Sequence, residues 1–326
     1  YVSLRGNPGS PGTLVGPAVP RVFSDKPLKL AKAAGENKTG NRLALARWMT
    51  RSDHPLTARV WVNRVWKHHF GRGIVSSLDN FGTQGVAPTH PGLLDWLAVE
   101  LVENKWSTKH LHRMICTSRA YRQSSIKTKP AASRDPDNLL LSRMSMRRLD
   151  AEELHDGLLA IAGRLNMRMG GEPDEVQVYG RSYITGKPGD GGWRRSVYIR
   201  QRRIHTMTLL ETFDLPTMNP NCVERVNSTV VQQPLYLLHD KVIHGLARQL
   251  ASRIQKEANG IEPSIRLAYQ KIVNRPPSGK ELASMVESVI ELERQFVEAK
   301  ETGQRNKALA AICHALFNSA AFLYVD

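Results

Sequence analysis

Between Asn63 and Trp96 the chain reads NRVWKHHFGRGIVSSLDNFGTQGVAPTHPGLLDW, which crowds imidazole, carboxylate, amide and indole groups around Gly and Pro. Loops that carry such groups on a rigid scaffold are more often functional than the scaffold itself. His68 and His69 stand at the end of a predicted helix, and Asp79 and His90 follow in the loop. Imidazoles facing a carboxylate could move protons near neutral pH or bind a metal. The spacing matches no metal signature, and adjacent helix positions point in different directions, so no metal is assigned. Acid–base chemistry by His68, His69, His90 and Asp79 is therefore one expectation. The competing expectation is structural, with His and Arg side chains satisfying the last carbonyls of the helix. Asn63, Arg64 and Asn80 complete this polar cluster, and Gly71, Gly73, Gly82 and Gly85 permit its tight turns.

A second group is basic. Arg194, Arg195, Arg200, Arg202 and Arg203 flank SVYI, with His205 beyond them. Val197, Tyr198 and Ile199 favour a strand, on which Arg200 and Arg202 would share one face. Guanidinium groups on one face need an anion or carboxylates between them. The functional expectation is an anion site; the structural one is pairing with acidic residues such as Glu211, Asp214 or Glu224. A third group, in LLETFDLPTMNPNCVERVNSTVVQQPLYLLHD, sets Cys222 beside Arg225. That neighbour could lower a thiol pKa, but a lone Cys in such a place is more often packed and inert.

Several chemistries find no signature. There is no nucleophile elbow, P-loop or dinucleotide glycine fingerprint. The three cysteines, Cys116, Cys222 and Cys313, are too few and too widely spaced for a disulfide framework. No CxxC or CxxCH occurs, which excludes the thiol-redox motif and covalent haem attachment from this segment.

The elements that must position these groups are mainly helical. Residues 1–38 are rich in Gly and Pro and predict an extended arm lying on a helical body. Helices are predicted after Thr39 or Asn41, from Pro55 to about Phe70, from Pro91, and after the cap Ser107. Asp150 with Glu153 predicts a capped helix, and Gly170–Gly171 breaks the run that follows. Strands are expected at Val176 to Tyr179 and from Ser196. One long helix is expected over Val231 to Ile254, then helices at Glu262–Asn274, Ser278 to about Lys300, and Asn306–Asn318, with an extended end. Trp48, Trp61, Trp66, Trp96 and Trp106 fall in helical segments and are expected mostly in the core. The expected class is mainly α: a multi-helix globular body with an extended N-terminal arm and a small β insertion. Composition shifts divide it into an arm at 1–38, a helical unit at 39–166, a loop and β insertion at 167–205 and a helical unit at 206–326, with 39–326 forming one compact domain.

Composition narrows the partner. The 326 residues carry a formal charge of +16, which favours an acidic partner such as nucleic acid, an anionic polysaccharide or an anionic surface. No apolar run is long enough to span a membrane. The chain begins at Tyr1 rather than Met, which reads as a piece of a longer protein.

The motifs NRLALARWMTRSDHPLTARVWVNRVWKHHFGRGIV, DNFGTQG, PTHPGLLDWLA, LHRMICTSRAYRQSS, DPDNLLLSRM, RRLDAEELHDGLLAIAGRL, RRSVYIRQ, NPNCVERVNSTVVQQPLYLLHD and LFNSAAFLYVD, in this order, resemble a domain of unknown function abundant in planctomycetes. The resemblance extends to RGNPGSPG in the arm. It implies a C-terminal module of secreted, multidomain proteins that carry a c-type cytochrome domain and a companion domain upstream. Its implied setting is extracytoplasmic, with any haem in an upstream domain and none in this segment. It implies no catalytic residues. The chain departs from the family's pattern at Leu238, His239 and Asp240, where Asn-rich residues are usual, and at Ala320 and Ala321, where Asn-Glu is usual.

Three functions follow in order. The first is a helical binding or scaffold module for an anionic polysaccharide or for the cytochrome or companion domain of the same chain. The second is a carbohydrate-active or redox enzyme with its site at the His68/His69/His90 loop. Nucleic-acid binding ranks last, because charge alone supports it.

Overall fold

The computed structural model describes residues 1–23, 40–180, 182–189, 192–202, 204–216, 222, 224–225 and 227–325. The fold is mainly α, and its residues pack as two compact units, Tyr1–Met144 and Ser145–Asp326. The division falls at 144/145, not at the composition shifts near 166 and 205. The reason is packing: the β insertion shares its core with the helices that follow it.

In the first unit the helices are α1 (Asn41–Met49), α2 (Thr57–Phe70), α3 (Pro91–Glu103), α4 (Thr108–Thr117) and α5 (Lys129–Arg134). Each starts or stops for a local reason. Pro91 occupies the first turn of α3, where its missing N–H costs nothing. Ser107 accepts from the His110 amide and caps α4. Gly71, at φ 79°, ends α2 with a bond from its N–H to the Lys67 carbonyl. Val62, Trp66 and Phe70 of α2, Leu94, Leu97 and Leu101 of α3, and Leu111 and Ile115 of α4 form the core. Each such side chain contributes about 1.5–3 kcal/mol by leaving water.

One expectation fails here. Trp61 and Trp96 are 45% and 49% exposed, because one helical step turns them away from the direction in which Val62 and Leu97 are buried. On α1 only Ala44 is buried, while Leu43, Leu45 and Met49 are exposed. The described part of the arm, residues 1–23, begins with a 3-10 turn at Leu4–Gly6 and a bridge between Ser3 and Pro11. It reaches the body at its far end, where Val19 is buried and the Phe23 ring lies 5.8 Å from Trp48 and 5.7 Å from His54. The remainder of the expected arm, and Thr39, lie outside the described residues.

The second unit contains β1 (Arg147–Arg148), α6 (Ala151–Ala162), β2 (Leu165–Asn166), β3 (Val176–Tyr179), β4 (Tyr183–Gly186), β5 (Trp193–Arg194), α7 (Thr208–Thr212), α8 (Gln232–His239), α9 (Lys241–Glu257), α10 (Ile261–Ile272), α11 (Gly279–Glu298), α12 (Gln304–Phe317), α13 (Ala320–Leu323) and β6 (Tyr324–Val325). Leu154 and Leu158 of α6, Leu250 and Ile254 of α9, Ile265 of α10 and Leu309, Cys313 and Phe317 of α12 are essentially fully buried in one core. Capping boxes open α6 at Asp150–Glu153 and α11 at Ser278–Glu281. Among the described residues three two-stranded ladders serve as clips: β1 with β6 and β3 with β4 antiparallel, β2 with β5 parallel.

The expected strand from Ser196 is not one. Ser196–Tyr198 is a 3-10 turn, and a single bridge joins Ile199 to Asp174. The Ser196 amide bonds the Asp156 carboxylate at 2.7 Å, which pulls the chain out of register with any neighbour. The expected helix over Val231 to Ile254 is broken at Asp240, which is extended at φ −70° and ψ 127°. Its carboxylate caps a new helix by accepting from the Val242 and Ile243 amides at 2.8 and 3.1 Å. The break is closed from the other side by two histidines. His244 Nε2 donates to the Leu238 carbonyl and His314 Nε2 to the Leu237 carbonyl, each at 2.9 Å, so the end of α8 keeps its hydrogen bonds.

Candidate functional site

The histidine loop is built on Asn63. This side chain is fully buried on α2, and it grips the backbone of Val75 twice, Nδ2 donating to the carbonyl and Oδ1 accepting from the amide, both at 2.9 Å. Two glycines let the chain pass so closely. A Cβ on Gly73 would stand 2.5 Å from the Val75 carbonyl oxygen, and one on Gly85 would stand 2.1 Å from that of Asn80. The loop is therefore a rigid platform. We expect Asn63→Ala to cost about 2 kcal/mol, since it leaves a buried amide and carbonyl unpaired. A denaturant titration checks this; an unchanged midpoint would show that the loop holds itself.

On that platform the predicted residues separate. Asn80 organises the turn, its Oδ1 accepting from the Gly82 amide and its carbonyl from Ser77. His90 bonds its neighbour Thr89 at 3.0 Å, and Asp79 and Arg64 are exposed. His69 turns toward α4, where its Nε2 lies 2.7 Å from His112 Nδ1. Among the described residues no group of three or more His, Cys, Asp or Glu side chains could hold a metal.

Most of the predicted arginines of the second unit are matched with carboxylates. Arg194 is buried, bonds Asp174 at 2.8 Å and the Gly170 carbonyl at 2.8 Å, also donates to the Glu172 carbonyl, and stacks on Tyr198. Arg195 lies over the same ring. Arg200 and Arg202 do converge, and Glu175 sits between them at 2.7 and 3.2 Å. Arg225 forms a fork with Glu152 at 2.6 and 2.8 Å. The partners are thus Asp174, Glu175 and Glu152 rather than the acids nearest in sequence. Arg203 lies outside the described residues. Cys222 is exposed and donates to the Glu224 carbonyl.

A buried polar knot supports this region; it draws Asp214, Ser228 and Gln233 from the third group, and Arg148 is the member that no sequence signal had marked. Arg148 donates to the Ser228 carbonyl at 2.6 Å, Gln233 Oε1 at 2.8 Å and Asp214 Oδ2 at 2.7 Å. Ser228 returns a hydroxyl bond to Asp214 at 2.7 Å. Burial alone would push the Asp214 carboxyl up; Ser228 and Arg148 outweigh it and hold the group below the ordinary carboxylate range.

A cavity of about 570 Å³ lies where β3, β4 and the α8–α9 break meet. Tyr179, Tyr183 and Tyr236 wall it, Thr185, Thr208 and Asp240 supply polar groups, and His239 and Lys241 line its exposed side. Tyr183 donates to Asp240 Oδ2 at 2.6 Å. Burial first, then the adjacent Asp240 carboxylate, raise the Tyr183 and Tyr236 phenols above their ordinary range, so both stay protonated donors. Thr185 and Asp240 are buried at 5% and 7% exposure, whereas Tyr179 is half exposed. The cavity thus offers aromatic surface with a few fixed polar groups, the general make-up of a small-molecule site.

A family model described as PSD1, a protein of unknown function (DUF1553), matches residues 41–289, more than three quarters of the chain. The chain belongs to this family. No curated protein and no solved structure shows significant similarity to it. The matched residues of this DUF1553 chain include the Asn63 platform, the Arg148 knot and every residue lining the tyrosine cavity. Three rings and a carboxylate spread over 62 residues carried no spacing signal. Asp240 lay inside the period of the expected Val231 to Ile254 helix, so its capping role carried no local signal.

Proposed function

We propose that the DUF1553 chain is a binding module that takes an acidic saccharide in the tyrosine cavity. One observation carries this reading: three tyrosine rings converge on one cavity whose exposed side bears Lys241 and His239. Aromatic faces hold the apolar face of a sugar ring, while fixed hydroxyl and carboxylate groups read its hydroxyls. Lys241 supplies a cation for a uronate or sulfate at the entrance, and the charge of +16 draws such polymers to the surface. The arginines act differently under this reading. Each described one of the predicted set already has a carboxylate or a ring, so their charge steers rather than holds. The same reading places the module outside the cytoplasm beside a haem-bearing domain of a longer chain, a setting supported by the motif resemblance. Nucleic acid is the weaker alternative, because paired arginines offer few phosphate contacts.

Calorimetric titration with an oligogalacturonate and with its reduced, neutral counterpart tests the proposal. The acidic form is expected to bind more tightly, and Tyr179→Ala to weaken it about ten-fold, the effect of one lost aromatic contact. Lys241→Ala should erase the preference for the acidic form. No heat with either sugar, or binding indifferent to Tyr179→Ala, would refute it.

A further inference from the structure

The first unit holds a second cluster of reactive groups, independent of the saccharide reading. His112 and Cys116 are four residues apart on α4 and so share one face, which meets the end of α2 at His69. Cys116 Sγ lies 3.9 Å from His69 Nδ1, and His69 Nε2 lies 2.7 Å from His112 Nδ1. The Tyr121 ring stands edge-on to His69 at 5.3 Å and fixes its plane. Two neutral sets of protons fit these bonds, and one of them makes His69 a base: His112 carries its proton on Nε2 and accepts at Nδ1, His69 donates from Nε2, and His69 Nδ1 is left as an acceptor toward the thiol. That is the order of a nucleophile, its base and the group that orients the base. Cys116 is half-buried and His112 exposed, so a small molecule can reach the sulfur.

We propose that Cys116 is a nucleophile activated by His69 and positioned by His112, and that its substrates are hydroperoxides. A thiolate attacks a weak O–O bond directly and requires of the protein only a base and access, with no oxyanion donor. In the step, the Cys116 proton passes to His69 Nδ1. The thiolate sulfur bonds to one peroxide oxygen as the O–O bond breaks, and the departing oxygen takes the proton from His69. Sulfur is oxidised to sulfenic acid, and the hydroperoxide is reduced to an alcohol, or to water when the reagent is hydrogen peroxide. This assignment moves the chemistry of His69 away from Asp79 and His90 and onto α4.

The other two cysteines are internal references. Cys222 is exposed and bonds a carbonyl rather than an imidazole. Cys313 is fully buried, and burial pushes its thiol up to about 12. The experiment treats the folded chain with hydrogen peroxide, traps sulfenic acid with dimedone and follows each cysteine peptide by mass spectrometry. Cys116 is expected to be trapped about a hundred-fold faster than Cys222, the lower end of what a positioned general base contributes, with Cys313 unlabelled. His69→Gln should bring Cys116 down to the rate of Cys222, and His112→Gln should give an intermediate rate. Equal rates at Cys116 and Cys222, or a Cys116 rate untouched by His69→Gln, would overturn the proposal. If His69→Gln unfolds, the comparison of Cys116 with Cys222 in the unaltered chain decides alone.

Discussion

Arg148→Met is expected to lower the stability of the second unit by about 3–5 kcal/mol, the usual consequence of removing one partner of a buried ion pair. Arg148 is nine-tenths buried and donates to four acceptors: Asp214, Gln233 and the carbonyls of Ser228 and Phe213. Methionine fills much of the space but donates nothing, so these acceptors lose their bonds together. Asp214 suffers most, because its carboxylate loses its charged partner and it sits at φ 67°, a conformation that few residues hold without support. The pH dependence gives an independent check. The Asp214 carboxyl lies below its ordinary value in the folded chain, so its contribution is complete above the unfolded value of about 3.9. It is lost as pH falls through the folded value. The gap between the two proteins should therefore be widest at neutral pH and narrow in acid. Urea titrations from pH 7 down to pH 3 would measure it; a loss under about 1 kcal/mol at neutral pH would mean the knot relaxes around the missing group.

Asp240→Ala is expected to cost about 3 kcal/mol, roughly 1 from the lost cap of α9 and about 2 from the Tyr183 hydroxyl left without its acceptor. Both partners converge on one side chain: Oδ1 takes the Val242 and Ile243 amides, and Oδ2 takes Tyr183. The same change should abolish saccharide binding, because the α8–α9 break and the tyrosine wall then lose their common anchor. Asp240→Ser separates the two effects. Serine restores the cap, so stability should recover by about 1 kcal/mol, but it cannot also reach Tyr183, so binding should stay weak. Melting curves and the titration described above, on the same samples, test this. Full binding by the serine variant would show that the cavity does not need Tyr183 fixed.

Much of the architecture was readable in the chain because its causes are local. Pro91, Ser107, Gly71, Asp150 with Glu153 and Ser278 with Glu281 each act within one turn of helix, and each caps or stops the helix it was expected to. The four strand residues Val176–Tyr179 were likewise legible from their own preferences. The readings that failed depended on a distant partner. Ser196 to Ile199 has strand propensity, yet the Asp156 carboxylate, forty residues earlier, holds the Ser196 amide and prevents a ladder. The helical period runs through Asp240 without interruption, and the long-range Tyr183 and His314 contacts join the local cap and the His244 bond in holding a break there.

The candidate sites divide in the same way. Residue types alone marked His69, the arginines and Cys222 as able to do chemistry, and charge alone marked an acidic partner. Which groups meet was decided by the tertiary structure. It set Glu175 between Arg200 and Arg202, brought His112 and Cys116 to His69, and gathered three tyrosines from two strands and a helix around Asp240. The physical reason is range: caps and turns are settled by bonds a few residues long, whereas a cavity or a base–nucleophile pair exists only where packing brings separate helices and strands together.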